Sequence, residues 1–156
     1  MTVVRALVAT GLLVGLAGCE SLPGLGRTGD ANQMIAGTGC NPGQNVCRVE
    51  VRVVDCRRRD GFIATPDDLQ VGERSLIVWD IVTDKYKFAP TGIEIKRNDG
   101  VFENPRPVGN GKRYAWHDKH GTHRFYKPAS YDYAISVVHE DGAVRCRAFD
   151  PRVTNR

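Results

Sequence analysis

Ser75-Leu76-Ile77-Val78-Trp79-Asp80-Ile81-Val82 is apolar at nearly every position, and its reading decides the fold. In a strand successive side chains point to opposite faces, so Ile77, Trp79 and Ile81 lie on one side and Leu76, Val78 and Val82 on the other. A strand apolar on both faces belongs at the centre of a sheet, and Trp79 belongs in the core. On the N-terminal side, Cys47-Arg48-Val49-Glu50-Val51-Arg52-Val53 alternates apolar and charged residues, the signature of a strand with one wet face. Phe62–Thr65 and Leu69–Val71 read as a strand interrupted by Pro66.

Beyond Val82, Tyr86-Lys87-Phe88 runs through Pro90-Thr91-Gly92 into Ile93–Lys96, an extended segment with a kink or bulge. Lys112–His117 forms a short strand carrying Tyr114 and Trp116, a pair that suits either the core or an exposed aromatic edge. Tyr131, Tyr133, Ile135 and Val137 alternate along a further strand. The Asp141-Gly142 turn then leads into Val144–Arg147 as a tight hairpin. Seven or eight strands with Pro/Gly turns and no amphipathic helix predict an antiparallel β-sandwich over residues 45–156.

The chain before this domain differs in composition. Met1–Gly18 holds one charge, Arg5, and an apolar run from Ala6 to Leu16 that is too short for the ~20 residues of a membrane-spanning helix. It ends in Leu16-Ala17-Gly18-Cys19, which resembles the lipobox of bacterial lipoproteins. The resemblance implies removal of residues 1–18 and attachment of lipid to Cys19, which anchors the chain to a membrane of the cell envelope facing the periplasm. Glu20, in place of aspartate after that cysteine, leans towards the outer membrane. Residues 19–44, rich in glycine with Pro23 and Pro42, read as a flexible tether of ~25–30 Å reach.

With Cys19 taken by lipid, Cys40, Cys47, Cys56 and Cys146 remain. An even number in an oxidising compartment predicts two disulfides, in any of three connectivities that the sequence alone does not decide. The preferred pairing is Cys40–Cys47, closing an Asn-Pro-Gly turn, with Cys56–Cys146 tying the end of the first strand to the last. No C-x-x-C pair occurs, and the spacings fit no common zinc site.

The order V-x-V-x-V, I-V-W-D-I-V, Y-K-F-A-P-T-G-I-E-I, K-R-Y-A-W-H-D, Y-D-Y-A-I-S-V and C-R-A-F-D-P-R-V-T-N is similar to a group of uncharacterised secreted bacterial proteins. Their sandwich resembles that of cupredoxins, and the resemblance covers about Cys47–Asn155. It implies fold rather than activity. A type 1 copper site needs a cysteine with histidine and methionine close behind it, and neither residue follows Cys146. No cofactor is therefore expected.

His117-Asp118-Lys119-His120-Gly121-Thr122-His123 is the sharpest remaining chemical candidate. Three imidazoles at spacing three, with Asp118 as an oxygen ligand, could hold Zn(II), Cu(II) or Ni(II), but only on an irregular loop, since a strand sends alternate positions to opposite faces. The plain alternative is a polar crossover loop. No G-x-S-x-G elbow, free thiol or glycosidase-type carboxylate pair appears, so no enzymatic activity is expected. The formal charge of +4 becomes +3 once the segment with Arg5 is removed. That modest excess, outside the cytoplasm, argues against nucleic acid. The Arg57-Arg58-Arg59 run reads as a solvated loop or a contact for anionic headgroups or envelope polymers. The expectation is a membrane-anchored envelope lipoprotein of binding or structural type, meeting an envelope protein or polymer; the alternative is periplasmic metal binding or delivery through the histidine-rich loop.

Overall fold

A computed structural model describes residues 38–41, 43–58, 61–120, 129–142, 145–147 and 151–156. Its strands in chain order are β1 (Gly39–Cys40), β2 (Val46–Val53), β3 (Phe62–Thr65), β4 (Asp68–Val71), β5 (Ser75–Ile81) and β6 (Tyr86–Ile95). They continue as β7 (Phe102–Val108), β8 (Arg113–Asp118), β9 (Ala129–His139), β10 (Arg145–Arg147) and β11 (Arg152–Asn155). The architecture is all-β, in two sheets. The first runs β1-β2-β5-β8-β7, with β3 beside β1 on the same edge of β2. The second has β9 between β6 on one side and β10 and β11 on the other, with β4 beyond β11.

The doubly apolar β5 is central, and its two faces serve different clusters. Ile77, Trp79 and Ile81 join the core between the sheets, together with Val49 and Val51 of β2 and Tyr133, Ile135 and Val137 of β9. Leu76 and Val78 form a second buried cluster with Val46 and Ala115 on the opposite face. Val82, past the end of the strand, is exposed. In the core the rings of Trp79 and Tyr133 meet edge to face, 5.3 Å apart, a favoured aromatic arrangement.

Most pairings are antiparallel, but β2 with β5 and β4 with β11 are parallel. The cause lies at Pro66. Instead of merely interrupting a strand, it separates β3 in the first sheet from β4 in the second. The chain therefore leaves the first sheet and re-enters it at β5, and parallel neighbours need such a crossover. The first strand also begins earlier than the domain boundary at residue 45: Gly39 and Cys40, inside the stretch read as tether, pair with Arg48 and Cys47.

Both disulfides have the preferred connectivity. Cys40–Cys47 joins directly opposed residues of β1 and β2. Cys56–Cys146 links the loop after β2 to β10, and so clamps one sheet to the other. Cys146 is not on the last strand, because β11 follows it.

The break in β6 falls where Pro90-Thr91-Gly92 suggested, with the register to β9 shifting between Phe88 and Ile93. There the corner between the sheets is sealed by β8. The Tyr114 hydroxyl donates to the Pro90 carbonyl at 3.2 Å and the Trp116 indole N–H to the Ile93 carbonyl at 3.1 Å. These two aromatics are corner braces rather than an exposed face: Tyr114 is buried and Trp116 half-buried against the core.

Candidate functional site

β8 is hydrogen-bonded on both sides, to β5 and β7, so the alternation of its side chains is fixed. Tyr114, Trp116 and Asp118 face the interior, while Arg113, Ala115 and His117 face outward. The adjacent residues His117 and Asp118 therefore belong to two different environments.

Asp118 lies between the sheets, opposite Ser75 on β5 and Phe102 on β7, and is fully buried. Its Oδ1 accepts the backbone N–H of His120 at 2.9 Å and the side-chain N–H of Asn155 at 3.3 Å. Asn155, at the end of β11, is fully buried as well. The remaining two oxygens, Asp118 Oδ2 and Asn155 Oδ1, are buried without a hydrogen-bond partner. Two bare acceptors in a dry interior are unfavourable, and a proton on Oδ2 supplies the missing donor. Burial pushes the Asp118 carboxyl up to about 6, against the opposing hydrogen bonds from the His120 backbone and from Asn155. The phenol of Tyr131 is raised by burial and then by the charges of Asp99 and Asp118. Its ring meets Phe102 edge to face at 5.0 Å. Together these groups close the end of the sandwich where β7 starts and β8 and β11 finish.

His117, on the outer face, stands in register with Leu76 and Glu103. Its pKa is lowered by burial and then by Arg106 and Arg74, with Glu103 opposing. An imidazole held neutral beside guanidinium groups is available as a ligand, but the same positive charge repels a divalent cation. The strand thus directs His117 away from Asp118, while the His120 backbone turns back onto Asp118. His123 lies outside the described residues, as does Cys19. Among the described residues no three His, Cys, Asp or Glu side chains gather as a metal site. All four described cysteines are in disulfides, so Cys146 has no thiolate to offer a metal or a substrate.

The Asp118–Asn155 pair escaped the sequence reading because the partners are 37 residues apart. One signal was available: in Arg152-Val153-Thr154-Asn155 the apolar Val153 sets the inward face, which puts Asn155 inside. The pair can hold a proton and lock two strands together; being sealed from solvent, it offers no route to a substrate. Compared with known proteins, the chain matches no protein-family model and no curated sequence.

Proposed function

We propose that this chain is an exported, lipid-anchored envelope protein whose β-sandwich does binding or structural work at a membrane, without catalysis. The observation that carries the reading is the pairing of the cysteines. Cys40–Cys47 and Cys56–Cys146 use every cysteine after the Leu16-Ala17-Gly18-Cys19 box, leaving Cys19 as the odd one. Disulfides form and persist outside the reducing cytoplasm, and a cysteine that directly follows a signal-like segment is placed for acylation. Among the described residues no helix is long and apolar enough to cross a membrane.

The resemblance to cupredoxin-like secreted domains fits the same reading, with the sandwich used as a scaffold and its cysteine committed to a disulfide. The test is intact-mass spectrometry and fractionation of the chain made in a bacterium, beside Cys19→Ser. The reading expects acyl mass on the chain beginning at Cys19, membrane recovery for the parent and loss of both in the variant. An unacylated parent refutes it.

A further inference from the structure

At the close of β2 and β5 the outer face of the first sheet ends in apolar side chains open to water. Val54, Ile63 and Val82 are 63%, 52% and 39% exposed. The register brings them together. Ile63 is opposite Arg52 on one side of β2, and on the other side the Val82 N–H donates to the Val51 carbonyl. Ile63, Arg52 and Val82 therefore form a row, with Val54 two residues further along. Arg52 is 61% exposed, with Glu50 3.2 Å from its guanidinium. Arg57 and Arg58, on the loop that leaves β2, are exposed too. Single exposed aliphatics are ordinary, whereas three gathered around Arg52, with Arg57 and Arg58 exposed on the adjoining loop, suit a surface that is apolar just inside a layer of negative charge.

We propose that this patch is the face by which the domain lies on an anionic lipid bilayer. The choice of partner rests on the lipid-anchor reading, and the entry point of the chain supports it. Gly39 lies opposite Arg48 on the β2 edge that also carries Ile63's strand. Arg52 is four residues along β2 from Arg48, ~13 Å at ~3.3 Å per residue. The chain from Cys19 to Thr38 can span at most ~65 Å at ~3.4 Å per residue, well beyond that distance. A lipid at Cys19 can therefore hold the patch at the headgroups without strain.

The test reconstitutes the full lipidated chain in vesicles of phosphatidylglycerol with phosphatidylethanolamine and, separately, of phosphatidylcholine. Hydrogen–deuterium exchange is followed in peptides covering residues 52–63 and 80–85. Exchange there should slow on the anionic vesicles, and the slowing should vanish in the double variant Val54→Asp/Ile63→Asp, whose positions are exposed and leave the core intact. Arg57→Ala and Arg58→Ala should each lower the fraction in contact about fivefold at low salt. Exchange that is the same on anionic vesicles as on phosphatidylcholine, or the same in the double variant, overturns the proposal. Slowing that appears without vesicles and grows with protein concentration assigns the patch to a second copy of the chain and overturns it too. Intact mass of the same sample reads the anchor separately: missing acyl chains with the slowing retained would remove the anchor and keep the surface.

Discussion

Asp118 is an acid that the fold prefers to keep protonated. Its folded pKa of about 6 lies above the ordinary 3.8. Between about pH 4 and pH 6 the folded chain therefore binds more proton than the unfolded one, and stability falls as pH rises through that window, by up to about 3 kcal/mol. Asp118→Asn should remove this loss, because an amide N–H can face the bare Asn155 oxygen at any pH. Urea titrations of both proteins at pH 4, 5, 6 and 8 should show the variant gaining on the parent as pH rises, and a pH-independent difference would contradict the account. Gly92 answers to sterics instead. A Cβ there would lie 2.6 Å from Phe88 Cβ and 2.9 Å from Tyr114 Cδ2. Gly92→Ala should cost about 1–3 kcal/mol, as overpacking does, readable as a lower urea midpoint.

At the scale of elements, the two disulfides differ in what they constrain. Cys56–Cys146 spans 90 residues and joins the sheets; Cys40–Cys47 spans 7 and joins neighbouring strands. Loop-closure entropy gives ~4–5 kcal/mol for the first and ~2–3 kcal/mol for the second. The Cys56→Ser/Cys146→Ser variant should therefore lose more stability than Cys40→Ser/Cys47→Ser when the two are melted side by side, and the reverse order would rule out the entropic account. The elements read least well from sequence were edge or terminal ones. In β7, Asn104, Pro105 and Pro107 break the alternation, and the pairing with β8 shifts between Glu103 and Arg106. Proline is tolerated on such an edge because one side of the strand needs no ladder. β11 is four residues long with a polar residue turned inward, and it exists because β4 and β9 lie on either side of it.

Over the whole molecule, the central strand concentrates the stability. Trp79→Ala should cost about 3–5 kcal/mol and weaken the packing of both sheets, visible in equilibrium urea unfolding of parent and variant followed by far-UV circular dichroism. Local pattern by itself determined the strands around Trp79, the faces they present, the all-β class and the number of disulfides, because alternation and cysteine parity are properties of neighbouring residues and simple counts, whereas which cysteines pair depends on which strands meet. The tertiary structure alone decided that Pro66 marks a change of sheet, that two pairings are parallel, that His117 and Asp118 face opposite ways, and that Asp118 meets Asn155. Those outcomes depend on which distant strands lie side by side, and burial acts on that arrangement rather than on any stretch of chain read in isolation.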